Sequence, residues 1–122
     1  MIKETRNAVD FGFKVGDILE ACWGYDANIY NFYEVVGLTK TMVKVRELKK
    51  TCAEEQSNYS MYYGRMVKPI TEGVDRFLSD VIMRKPFNFS RDFDPKSSGI
   101  AINEYKSAYL WNGKACDEYN AH

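Results

Sequence analysis

Few residues of this chain could do chemistry, and they stand far apart. The one histidine, His122, is the last residue. Chain ends usually fray, whereas a general base must be held rigidly beside its serine or cysteine nucleophile, so no triad or dyad is expected. Cys22, Cys52 and Cys116 are widely spaced and include no C-x-x-C pair. With a single terminal histidine they make no tetrahedral zinc site, and their odd number fits reduced thiols better than a disulfide framework. A glycine-rich phosphate loop is also missing. Carboxylates leave one hydrolytic route, a magnesium ion held by acidic groups. Glu47-Leu48-Lys49, with Asp26 or Glu34 upstream, has the acid plus Glu-x-Lys spacing of metal-dependent nucleases. That spacing is cheap: Glu104-Tyr105-Lys106 repeats it, and Asp92-Phe93-Asp94 is more simply turn chemistry. The expectation is a protein that is not an enzyme and holds no metal or cofactor.

Binding chemistry is better represented. Between Lys40 and Lys68 seven basic residues, among them Lys44, Arg46 and Arg65, face only Glu47, Glu54 and Glu55. Lys44 and Arg46, with Tyr59, Tyr62, Tyr63 and Arg65, would combine phosphate-neutralising cations with rings on which bases stack, a nucleic-acid-binding face. The competing surface is an aromatic anchor for a protein partner, drawn from Trp23, Tyr25, Tyr30 and Phe32. Trp23 and Tyr33 read mainly as core packing. Tyr25, Asp26, Asn28 and Tyr30 are the partner-binding candidates, because Gly24 suggests that the connection from Gly24 to Asn31 leaves the strand.

The elements that must position these residues are short strands. Gly16-Asp17 makes a turn, Ile18 to Trp23 a first strand, and Gly24 its end. Phe32–Leu38 and Met42–Leu48, joined by Thr39-Lys40-Thr41, read as a hairpin in which Val43 and Val45 face the core while Lys44 and Arg46 face water. Lys49 to Tyr63 reads as a surface excursion with room for a helical turn. Met66–Ile70 and Val81–Lys85 are further strands, and Glu72–Asp80 between them is a helical turn or loop. Asn88 to Gly99 has the composition of a flexible connection. Ile100–Ile102 and Ala108–Trp111 are short apolar runs, followed by a tight turn at Asn112-Gly113. About six strands and at most a minor helix predict a mainly β domain, a small SH3-like antiparallel barrel or rolled sheet.

Length and composition agree with that class. At 122 residues the chain suits one domain, 1–122, with residues 1–12 and 115–122 as loose tails. Seventeen basic and seventeen acidic residues cancel, so no global field draws the protein to nucleic acid or anionic lipid. Nine Tyr, seven Phe and two Trp are the compositional outlier, and tyrosine suits partly exposed contact surfaces. Met1 to Phe13 lacks the apolar run of a secretory signal, and no stretch of about 18 apolar residues occurs. A cytoplasmic protein with no membrane partner is expected.

Phe13-Lys14-Val15-Gly16-Asp17-Ile18, Trp23-Gly24-Tyr25-Asp26, Phe32-Tyr33-Glu34-Val35-Val36 and Val45-Arg46-Glu47-Leu48 together resemble a family of small, largely uncharacterised proteins of phages and other mobile elements. The closing Ser107-Ala108-Tyr109-Leu110-Trp111-Asn112-Gly113-Lys114 is similar to that family's C-terminal signature. Where the family pattern has a polar run with Thr, Asn and Asp, this chain has Ala27-Asn28-Ile29-Tyr30-Asn31, without the acid. The resemblance implies a mobile-element origin and, with it, a binding protein in the host cytosol that engages or inhibits a host protein, such as part of a defence system.

Overall fold

The computed structural model describes residues 7–24, 27–53 and 64–120. Its framework grows from one hairpin. Strands β2 (Ala27–Leu38) and β3 (Val43–Leu48) pair antiparallel from Phe32↔Leu48 to Leu38↔Val43. Thr39 closes the link: its N–H donates to the Met42 carbonyl and its hydroxyl accepts the Met42 N–H, both at 2.9 Å. Val43 and Val45 are fully buried, while Lys44 and Arg46 line the opposite face, as a period of two requires.

Strand β1 (Ile18–Trp23) runs along the other edge of β2, with Leu19 opposite Tyr33 and Trp23 opposite Ile29. Gly24, at φ +133°, reverses the chain; a Cβ there would stand 2.7 Å from the Ala27 carbonyl oxygen, so the turn needs glycine. Residues 27–31, expected to be an exposed connection, are therefore strand. They contain no Gly or Pro to break the ladder, and β1 is long enough to pair with Ile29, Tyr30 and Asn31.

Strand β2 is long because three neighbours share it. Its first residues pair with β10 (Cys116–Asn120) through Asn28↔Tyr119, and its later ones with β3. A register shift between Val35 and Gly37 marks a bulge, which bends the ladder. Beyond β1 lie β9 (Lys106–Leu110), β8 (Ser98–Asn103) and β7 (Pro86–Asn88). Beyond β10 lie β5 (Gly64–Pro69) and β4 (Lys50–Cys52), and β6 (Ile82–Arg84) covers the second edge of β3. The chain is thus mainly β, a rolled antiparallel sheet of ten strands among the described residues. The strands not anticipated are β4, β7 and β10, of which β4 and β7 are each three residues long and too short to show an alternation. The sheet is not closed into a barrel. At its seam β6 pairs with β3 and β7 with β8, and Arg84 Nε reaches the Ile102 carbonyl at 3.1 Å.

Two cores form on opposite faces of β2. Tyr33 and Val35 join Phe13, Leu19, Val43, Val45, Ile100 and Ile102 on one side. Phe32 joins Leu48, Val67 and Cys116 on the other, with Trp111 and Phe77 against them. Both chain ends contribute. Ala8 is buried in the first core and donates its N–H to the Lys40 carbonyl at 2.8 Å, and β10 pairs with both β5 and β2. Residues 8–11 and 116–120, assigned to loose tails, are parts of the fold. Similarly, 88–99 is built: Asp94 caps the 3-10 turn Pro95–Ser97 by accepting the Lys96 N–H at 3.0 Å, and Phe93 packs edge-on against Phe11. No helix among the described residues is long and apolar enough to cross a membrane.

Candidate binding face

The outer face of β2, β3 and β6 gathers the cations that the hairpin alternation turns outward. Lys44 and Arg46 line an open groove of about 770 Å³ with Glu34, Val36, Arg76, Phe77, Val81, Met83 and Val15. Val15, Val81 and Met83 are exposed, so the groove has an apolar rim in contact with water. Lys44 reaches it across Gly37, where an added Cβ would come within 3.2 Å of the lysine Cδ. Absence of a side chain at 37 gives the lysine stem its lane.

Residues 73–80 form the groove's far wall, pinned along the end of β3. Lys49 N–H donates to the Arg76 carbonyl and Leu78 N–H to the Glu47 carbonyl, each at 2.7 Å, and Glu47 N–H donates to Ser79 Oγ at 2.9 Å. Phe77 is thereby held beneath two guanidinium groups, with Arg46 Cζ 4.0 Å and Arg76 Cζ 4.2 Å from its ring centroid, a cation–π arrangement. The two arginines differ in what they leave free. Arg76 grips Glu34 through Nε and Nη2 at 2.9 and 3.0 Å and spends Nη1 on the Gly73 carbonyl at 2.7 Å. Hydrogen bonding to Glu34 raises its pKa further. Arg46 spends Nε on the Ser79 carbonyl at 2.9 Å; its Nη groups meet no acceptor among the described residues. Lys44 makes no ion pair among them either.

The other candidates lie elsewhere. Phe32 is fully buried and cannot anchor a partner. Tyr30 packs against the second core, and burial, then the adjacent Cys22, pushes its phenol pKa up. Asn28 is half-buried in β2. Neither belongs to an exposed loop, which removes the physical reason for choosing them. Tyr25, Asp26, Tyr59, Tyr62 and Tyr63 lie outside the described residues. Arg65 does not join Lys44 and Arg46, because its Nε is bonded to Glu118 Oε1 at 2.8 Å. Glu118, nearly buried, also accepts from Lys50 Nζ and, at 3.1 Å, from the Tyr30 N–H. Burial would raise its pKa, but the bonds from Lys50, Tyr30 and Arg65 hold it below the usual carboxylate range. This node joins β2, β4, β5 and β10.

Among the described residues, the nuclease arrangement that would use Glu34 is not assembled. Glu34 lies on the outer face with Arg76, whereas Glu47 turns the other way and accepts from Asn31 Nδ2 at 3.1 Å. No group of three or more His, Cys, Asp or Glu positioned to hold a metal occurs among the described residues. Glu47 belongs to a network at one end of the first core. There Trp23 Nε1 and, at 3.3 Å, Lys106 Nζ donate to Asn31 Oδ1, and the ammonium lies 5.7 and 5.6 Å from the Trp23 and Tyr33 rings. Burial lowers the Lys106 pKa and, with the charge of Glu47, raises that of Tyr33. These groups satisfy one another and line the core. The cysteines are free thiols; Cys22 and Cys52 are exposed, and burial with the bond to Glu20 pushes Cys116 up to about 12.

Sequence reasoning found Lys44 and Arg46 but missed Arg76, Phe77, Glu34 and Ser79 as their neighbours. The available signal was Arg76-Phe77, a cation beside an aromatic in a stretch otherwise read as loop. Compared with protein-family models, with curated proteins and with solved structures, the chain matches none of them.

Proposed function

We propose that this chain is a non-enzymatic binding protein that engages another protein through the outer face of β2, β3 and β6. In the mobile-element setting implied by the sequence resemblance, the partner is a host protein, such as a component of a defence system. The observation that carries the reading is the pairing of Lys44 and Arg46, two cations without an acidic partner among the described residues, with the exposed apolar rim of Val15, Val81 and Met83. Interfaces combine an apolar contact area with charges that set orientation and partner choice. Nucleic acid is the weaker reading. Arg65 is committed to Glu118, and Phe77 already lies under two guanidinium groups, so it is not left bare for a base.

Affinity capture from nuclease-treated host lysate, with the wild-type chain and with Lys44→Glu/Arg46→Glu, tests this. The expected result is a defined protein retained by the wild type after nuclease and lost with the double variant. Recovery that disappears with nuclease, or that is identical for both chains, would sink the reading.

A further inference from the structure

Resting on that reading, we infer that the groove's occupant is an extended acidic segment of the partner carrying two carboxylates at alternate positions, i and i+2. Lys44 and Arg46 are themselves alternate residues of one strand, so their Cα atoms stand about 6.5–7 Å apart. An extended ligand has the same repeat, which lets one carboxylate meet each cation.

Arg46 is built for that contact before a ligand arrives. Its Nε bond to the Ser79 carbonyl and its position over Phe77 fix the plane of the guanidinium, and its Nη donors meet no acceptor among the described residues. A planar donor pair of this kind matches a carboxylate in bidentate fashion. Arg76 cannot compete, since Glu34 and Gly73 occupy all its donor nitrogens. Lys44 supplies the second charge as a flexible point, without the planar fork of Arg46.

The segment is held by its side chains. Both edges of β3 are taken, by β2 and by β6, so no strand can be added there and main-chain bonding to β3 is excluded. Apolar contact comes from Val36, Val81 and Met83 beside the cations, which suits an acidic segment with an apolar residue near its carboxylates and offers little to a hydrated phosphate chain. Lys44 and Arg46 together would also neutralise only about two phosphates, a small fraction of what sustains nucleic-acid affinity.

Fluorescence anisotropy with short labelled peptides decides the point. One probe carries Glu at i and i+2 with Val or Leu nearby; a second has the same composition with the two Glu adjacent, which places them on opposite sides of an extended chain. A third probe is a single-stranded oligonucleotide of similar length. The i, i+2 peptide should bind about fivefold or more tightly than the adjacent-Glu peptide. Arg46→Gln should weaken it about tenfold and Lys44→Gln about threefold. Lys44→Gln breaks no ion pair among the described residues, so it remains informative if Arg46→Gln loosens Phe77. Equal binding of the two peptides, tighter binding of the oligonucleotide, or indifference to Lys44→Gln would overturn the inference. If the peptides fail while capture of the intact partner is still abolished by Lys44→Glu/Arg46→Glu, the binding reading stands and the i, i+2 segment falls.

Discussion

Glu118 shows how one side chain carries more than its own strand. It sits 6% exposed, bonded to Lys50 from β4, Arg65 from β5 and the Tyr30 N–H of β2. Those partners lower its pKa in the folded chain despite burial. Between that value and the ordinary carboxylate value of about 4.3 the unfolded chain binds more protons than the folded one. The node's contribution is therefore whole above about pH 4.3 and is lost as pH falls through the folded value. Glu118→Gln should cost about 2 kcal/mol at neutral pH. That is less than the loss from breaking a fully buried pair, because the Arg65 side chain is 55% exposed. Urea midpoints measured from pH 6 to 3 should fall more steeply for the wild type than for the variant. Parallel curves would show that another carboxylate governs acid sensitivity.

Among the elements, the β1–β2 turn places the sharpest demand on a single residue. Gly24 combines φ +133° with a backbone oxygen 2.7 Å from where a Cβ would stand. Backbone cannot yield as a side-chain tip can, so Gly24→Ala should lower stability by about 2 kcal/mol, read as a fall in the thermal midpoint. An unchanged midpoint would mean that the turn relaxes freely. The same turn explains what the sequence could and could not disclose. Lys44 and Arg46 were legible because Val43 and Val45 alternate with them and Thr39-Lys40-Thr41 is short enough to dictate a hairpin. Ala27 to Asn31 was not legible, because Gly24 ends one strand and also begins the reversal into the next. A glycine signals both alike. β10 was hidden for another reason: Cys116-Asp117-Glu118 is polar by composition, and it takes the bonds from Lys50, Arg65 and the Tyr30 N–H, all distant in sequence, to make Glu118 an interior residue. Phe77 escaped because the Leu48↔Phe77 bridge that seats it joins residues distant in sequence, with no local pattern.

At the scale of the molecule, both cores are built on one strand. Tyr33 and Val35 belong to the first and Phe32 to the second, so β2 cannot leave one core and remain in the other. The 73–80 segment adds a second tie, since Phe77 packs against the second core while its neighbours bond to β3. A chain of this size with such shared elements should unfold in one cooperative step. The two tryptophans report on the two sides separately: Trp23 stands beside Lys106 and Asn31 at one end of the first core, and Trp111 packs on Phe32 at 6.0 Å in the second. In single-tryptophan chains, Trp111→Phe and Trp23→Phe, fluorescence should follow denaturation of each side alone. Adding Phe32→Ala, a truncation confined to the second core, should cost about 3–4 kcal/mol in the Trp23-only chain. The Trp23 signal, from the far side of the sheet, should then move to lower denaturant by the full amount. A Trp23 midpoint left in place by Phe32→Ala would mean that the first core stands without the second, and that β2 joins two independent units.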